Sequence, residues 1–192
     1  MQSANAIPEI ALQNELLLWK FSLVEFGHGL YVPALAAQIE QESMWNRKAV
    51  SRAKARGPSQ FIEKTARWVA EYIDSCTVFE DFHDFACAIP AQIWLMRFNF
   101  ERSPDANECD QYGFALSKYN GGGVEPDRRL AANHGADPNL WFDNVEHFNG
   151  RRRSAANFRE NRRYPRAILF SRQRKYAESG YGGGYLICSD RL

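Results

Sequence analysis

Glu42 is followed, at short intervals, by residues that hydrogen-bond rather than ionise: Ser43, Ser51 and Gln60, with Gly57 among them. A lone carboxyl group beside neutral donors and acceptors is suited to passing one proton to a leaving oxygen and taking one back. The residues before it set its environment. Pro33 fits the first position of a helix, and Leu35, Ile39, Glu42 and Ser43 recur at the three- and four-residue spacings of one helical face. Glu42 is therefore expected on the last turn, pointing with apolar side chains. Burial disfavours a carboxylate, and the unpaired carbonyls of a helix C-terminus push the same way, so a raised pKa is expected. A glutamate on such a face more commonly reaches solvent or meets an arginine. Glu42 alone does not settle the chemistry; the residues after it narrow the choice.

From Ser43 through Ile62 there is no Asp or Glu, whereas Arg47, Lys48, Arg52, Lys54 and Arg56 all fall there. Cleavage of a glycosidic bond ordinarily uses two carboxyl groups, one acid and one base or nucleophile. A second acid would have to come from elsewhere, with Glu63, Asp74, Glu125 and Asp127 as candidates.

The stretch resembles the catalytic motif of the soluble lytic transglycosylases, lysozyme-fold enzymes that cut bacterial peptidoglycan. Three pieces are in register: Glu42-Ser43, Ala49-Val50-Ser51, and Ala55-Arg56-Gly57-Pro58-Ser59-Gln60. Ala115-Leu-Ser-Lys-Tyr119-Asn120-Gly121-Gly122 matches a second family motif, and Glu160-Asn-Arg-Arg-Tyr164-Pro-Arg-Ala-Ile168 a looser third. The wording of residues 157–166 is most like phage-encoded members.

The resemblance implies that Glu42 protonates the oxygen between N-acetylmuramic acid and N-acetylglucosamine. Ser51 orients the N-acetyl carbonyl, and Glu42 then accepts the proton of the muramyl 6-hydroxyl as a 1,6-anhydro ring closes. Gln60, Tyr119 and Asn120 are implied as substrate-side residues, with Tyr164 along the groove. No cofactor and no metal is expected. The alternatives are a hydrolytic muramidase on the same fold and a non-catalytic wall-binding or virion structural protein.

At 192 residues the chain suits one domain, 1–192, with residues 1–7 and 179–192 expected as flexible ends. The pattern is helical almost throughout, which predicts a mainly α (α+β lysozyme-like) single domain with a substrate cleft. Helices are expected near Pro8–Phe26, Tyr31–Ser43, Pro58–Ile73 (capped by Gly57), Phe79–Ala88, Ala91–Arg102, Asp105–Tyr119, Pro126–Asn133, Pro138–His147 and Asn161–Lys175. Pro90 should break or kink the stretch from Phe79 to Arg102. Val50–Gln60 is expected as a short irregular or β-like loop.

Net charge is +1, yet residues 151–175 hold nine Arg and one Lys against Glu160 alone. This predicts contact with an anionic envelope surface rather than with nucleic acid, for which no module is present. Cys76, Cys87, Cys109 and Cys188 show no Cys-x-x-Cys spacing, so free buried thiols are expected, with one bridge as the alternative. No secretory leader and no integral membrane segment is legible. The expectation is a monomer made in a host cytoplasm that reaches the wall from the periplasm after release, as an endolysin does, or is carried in a virion.

Overall fold

The computed structural model describes residues 6–191, and residues 1–5 and 192, part of the expected flexible ends, lie outside them. The described residues are mainly helical and fall into two compact units, 1–95 with 168–186 and 96–167 with 187–192.

The first unit is built around helix α3, Val32–Ser43. Every residue from Val32 to Glu40 is buried, and the alanines at 34, 36 and 37 let neighbours approach closely. Around it pack α2 (Glu15–Phe26), a π-helical turn at Ile168–Arg172, α9 (Gln173–Glu178) and a 3-10 turn at Tyr181–Gly184. The expected helix from Pro8 is two pieces, α1 (Glu9–Gln13) and α2, because the Asn14 side chain donates to the Ile10 carbonyl (2.8 Å) and competes with the ladder. The tail from Ser179 is not loose. Tyr181 is buried with its hydroxyl donating to Ala11 O (2.7 Å), and Gly182 N donates to Glu15 Oε1 (2.8 Å).

Two other expectations in this unit are corrected. The helix assigned to Pro58–Ile73 is only α4, Glu63–Val69. Upstream, Arg56 and Phe61 exchange both backbone hydrogen bonds (2.9 and 3.1 Å), which closes 57–60 into a tight turn with Gly57 and Gln60 at positive φ. Next, the break after Phe79 comes at the extended Asp84, not at Pro90. A 3-10 turn covers Phe79–His83, and α5 runs Phe85–Phe100 with Pro90 inside it.

The second unit pairs α6 (Glu108–Gly121) with α8 (Ala155–Ala167), and includes α7 (Glu125–Asn133). Asn107 caps α6 by accepting from Asp110 N (3.0 Å). The helix expected at Pro138–His147 is mostly turns, with one 3-10 turn at Val145–His147. Its N–H groups go elsewhere: the fully buried Asp110 carboxylate accepts from both Trp141 N and Phe142 N (2.9 Å each). α8 begins earlier than expected, at Ala155, and Pro165 lies inside it.

The thiol expectation is overturned in both units. Cys76 is bonded to Cys87 in the first and Cys109 to Cys188 in the second, and the described residues contain no free cysteine.

Candidate active site

Glu42 occupies the last turn of α3, half-buried, where the spacing placed it. The helix is stopped abruptly by two non-glycine residues in the left-handed region, Met44 (φ 54) and Trp45 (φ 64). Each conformation costs about 1–2 kcal/mol and needs surrounding contacts to hold it. Trp45 supplies them. It is buried, its indole Nε1 donates to Tyr176 Oη (2.8 Å), and its ring lies 5.9 Å from that of Phe85.

The phenol of Tyr176 in turn donates to Glu40 Oε2 (2.5 Å), and Glu40 also meets Lys175 Nζ (2.6 Å) and Arg172 Nη1 (2.8 Å). Burial, and then the Glu40 carboxylate, push the Tyr176 hydroxyl's pKa well above that of an ordinary phenol, so it stays a donor. Two glutamates two residues apart on α3 are thus in different settings. Glu40 is 3% exposed and fully engaged by cations, whereas Glu42 lies in the half-buried last turn.

The loop after α3 returns to the end of that helix through backbone bonds. Asn46 N donates to Ser43 O (3.1 Å), Ala49 N to Asn46 O (3.1 Å) and Gly57 N to Ala49 O (3.0 Å). Single-residue bridges join Val50 to Arg56 and Arg56 to Phe61, the β-like character expected there. Ser51 is exposed, and its Oγ accepts from Ala55 N (3.0 Å), which leaves its own hydrogen to be donated outward.

Gln60 has a different local role from the one expected of a first helical turn. Its Nε2 donates to Gly57 O (2.8 Å) and Ala49 O (3.3 Å), so the amide clasps the loop shut. Gly57 is required where it stands: its φ is +74°, and a Cβ there would lie 1.7 Å from the Phe82 carbonyl oxygen.

A polar ladder in the core pins this loop to α3. Ser59 Oγ donates to Gln92 Oε1 (2.7 Å), and Gln92 Nε2 donates to Leu35 O (3.0 Å) and Gln38 Oε1 (3.1 Å). All three of these polar side chains are fully buried. Sequence reasoning passed over Ser59, Gln92, Glu40, Trp45 and Tyr176. Ser59 sits inside the matched motif, and that was the one signal available for any of them.

The acids offered as a second carboxylate are mostly engaged. In the first unit Glu63 pairs with Arg67 (2.6 Å), Glu80 with Arg56 (2.9 Å) and Asp84 with Arg47 (3.1 Å). In the second, Glu125 pairs with Lys118 (3.3 Å), and the fully buried Asp127 is held by Arg153 (2.7 Å) and Arg162 (2.9 Å).

Tyr119 and Asn120 lie half-buried at the end of α6 in the second unit. Asn120 Oδ1 accepts from Asn161 Nδ2 (3.2 Å), and the same Nδ2 donates to Ser117 O (2.9 Å), which ties the end of α6 to α8. Tyr164, expected along the groove, is 5% exposed and belongs to the buried core, so it offers a sugar little surface.

Most of the basic segment is ion-paired internally. In the second unit Arg153 and Arg162 meet Asp127, and Arg166 meets Glu146 (2.5 Å) and Asp143 (2.8 Å). In the first unit Arg172 and Lys175 meet Glu40, and Arg174 meets Glu178 (3.4 Å). Arg151, Arg152, Arg159 and Arg163 remain exposed with no ion pair among the described residues. Asp143, Glu146 and His147 have ligand atoms within 4.8 Å of one another, but both carboxylates are already engaged by Arg166. No described helix is long and apolar enough to cross a membrane.

Residues 28–142 match the family described as the transglycosylase SLT domain. Among similar proteins, the membrane-bound lytic murein transglycosylase F of Shewanella frigidimarina is 32% identical over 136 residues, covering 69% of this chain and 27% of that protein. The same-named protein of Vibrio cholerae is 33% identical over 136 residues (69% and 24%), and that of Ectopseudomonas mendocina is 30% identical over 139 residues (69% and 26%). The chain thus spans about a quarter of the length of these relatives.

Proposed function

We propose that this chain, which belongs to the transglycosylase SLT domain family, cleaves the β-1,4 bond between N-acetylmuramic acid and N-acetylglucosamine in peptidoglycan. The product has a 1,6-anhydromuramic acid end. The observation that carries this reading is the pairing of Glu42, on the last turn of α3, with a clasped loop that contains no acid and presents the outward-donating Ser51 hydroxyl.

Glu42 gives its proton to the departing glycosidic oxygen. Without a protein nucleophile, the substrate's own N-acetyl group supports the oxocarbenium-like centre, and Ser51 holds that group's carbonyl. The Glu42 carboxylate then takes the proton of the 6-hydroxyl as the ring closes. A nucleophile already on the sugar lowers the entropic part of the barrier. Tyr119 and Asn120 carry over from the family motif as substrate-side residues. Gln60 contributes by keeping the loop in shape.

Hydrolysis by a second carboxylate is the competing route, and the ion pairs of Glu63, Glu125 and Asp127 weigh against those three acids. The family match runs through residues of both compact units. Two disulfides favour an oxidising compartment such as the periplasm. The phage-endolysin setting is the narrower reading. It is supported by the wording of residues 157–166, and the exposed arginines at 151, 152, 159 and 163 would aid contact with an anionic envelope.

Glu42→Gln tests the assignment. It should abolish clearing of purified cell walls while leaving the unfolding midpoint unchanged. Undiminished clearing would remove Glu42 as the acid.

A further inference from the structure

Asn161 lies on α8 in the second unit, 1% exposed, with its amide fully employed. Its Oδ1 accepts from Ser117 Oγ (2.9 Å) and from Arg162 Nη1. Its Nδ2 donates to Ser117 O (2.9 Å) and to Asn120 Oδ1 (3.2 Å). An amide has two acceptor lone pairs and two donor hydrogens, so nothing is left over.

The direction of these bonds is not free. The two ends of an amide are nearly alike in shape, and the surroundings decide which way it points. Here a guanidinium decides, because arginine donates and cannot accept. Arg162 is itself buried and held, with Nη2 donating to Asp127 Oδ2 (2.9 Å) and Phe148 O (2.6 Å) and Nε to Glu146 O (2.8 Å). The end of Asn161 that faces Arg162 must therefore be oxygen, and the other end nitrogen. That nitrogen in turn requires Asn120 to meet it with Oδ1. The Asn120 Nδ2 is left over: it has no hydrogen-bond partner among the described residues and is not a buried atom. Asn120 lines a pocket of the second unit, beside Asn157 and Glu160. Gly121 makes the approach possible, since a Cβ there would lie 2.5 Å from Asn161 Nδ2.

We propose that Asn161, its direction set by Arg162, is a positioning residue that holds Asn120 as an obligate hydrogen-bond donor to an oxygen of the bound substrate. The proposal rests on the substrate-side reading of Asn120 above. The relay from Arg162 through Asn161 to Asn120 runs one way, and the charge at its head polarises the bonds that follow. Asn120 therefore accommodates a carbonyl or hydroxyl oxygen and offers nothing to an ammonium. Neither Arg162 nor Asn161 touches the ligand in this arrangement; both act through the orientation of one amide.

Side-chain amide hydrogen exchange by NMR, together with wall clearing, tests this in the full chain. In the parent the Asn161 side-chain hydrogens should exchange slowly and those of Asn120 fast. Asn161→Asp keeps both acceptor contacts but turns an oxygen toward Asn120, which must flip and aim its own oxygen outward. An Asn120 hydrogen should then exchange slowly, and clearing at limiting wall concentration should fall about ten-fold, the upper scale for one neutral hydrogen bond. In an Asn120→Ala background the same change should cost nothing further, because Asn161 has no amide left to position. A merely structural role would cost as much in both backgrounds. If Asn161→Asp does not fold, Asn161→Ala carries the test, with a roughly three-fold loss that again vanishes in the Asn120→Ala background. Slowly exchanging Asn120 hydrogens in the parent, undiminished clearing by Asn120→Ala, or equal losses in the two backgrounds overturn the proposal. Exchange does not depend on bond cleavage. A parent with the expected exchange that leaves walls intact defeats the catalytic reading alone, whereas one that clears walls with Asn120 protected defeats the relay alone.

Discussion

Glu40 and Glu42 lie two residues apart on α3 and are assigned opposite tasks, so Glu40→Gln is a sharp test. Glu40 is 3% exposed and meets Arg172, Lys175 and Tyr176 within 2.8 Å. Removing one partner of a buried ion pair costs roughly 3–5 kcal/mol. Here the stranded cations can partly return to water, since the Arg172 and Lys175 side chains are 32% and 18% exposed. The expected cost falls to about 2–3 kcal/mol on that account. Unfolding entropy for a chain of this length is about 0.4 kcal/mol/K, so the midpoint should drop by roughly 5–7 °C. Calorimetry reads the midpoint, and wall clearing below it reads the activity. Glu40→Gln should be less stable but retain clearing while folded. A variant as stable as the parent, or one folded yet inactive, would refute the division of labour.

Gly57→Ala should disturb the loop directly, because φ +74° and a Cβ only 1.7 Å from Phe82 O cannot both be accommodated without backbone movement. We expect a loss of at least about 1 kcal/mol together with a fall in clearing, read by denaturant unfolding and turbidity. Reducing the disulfides should destabilise both units. Chain-entropy arguments give about 3 kcal/mol for Cys76–Cys87 and about 4.5 kcal/mol for Cys109–Cys188, from loop separations of 11 and 79 residues. Paired Cys→Ser variants compared by calorimetry check both the size and the order.

Asp81 accepts from the backbone N–H groups of Val78 and Thr77 and from the Thr77 hydroxyl, and these hydrogen bonds hold its carboxyl below the ordinary aspartate range. The folded value is the lower one, so its contribution to stability is present above the unfolded pKa and disappears as pH falls through the folded value. An NMR titration should find Asp81 ionising below its pKa in a short unstructured peptide, and an equal or higher value would contradict this.

The helical character and the placement of Glu42 were legible because both rest on local spacing: Leu35 and Ile39 share a face with it, and Pro33 marks the start. The loop was legible as a loop but not in shape. Gly57-Pro58 looks like a helix start, and only the Arg56–Phe61 pairing and the burial of Ser59 against Gln92 turn 57–60 back on itself. The Pro138–His147 helix was lost to Asp110, more than thirty residues upstream, whose carboxylate takes the N–H groups a helix would have used. The internal ion pairs of the basic segment were hidden for the same reason. Nothing near Arg172 in the chain announces Glu40, which lies 132 positions away. Local patterns reveal the helix that carries Glu42, whereas the partners that hold it come from distant residues.

The most direct measurement is mass spectrometry of the muropeptides released from purified walls. One carboxyl group that gives a proton to the leaving oxygen and recovers one from the 6-hydroxyl, with ring closure by the sugar itself, predicts strands ending in 1,6-anhydromuramic acid and no uptake of oxygen from ¹⁸O-labelled water. Reducing muramic acid ends carrying the label would mean that water attacked with help from a second acid, and the single-carboxyl account would be wrong.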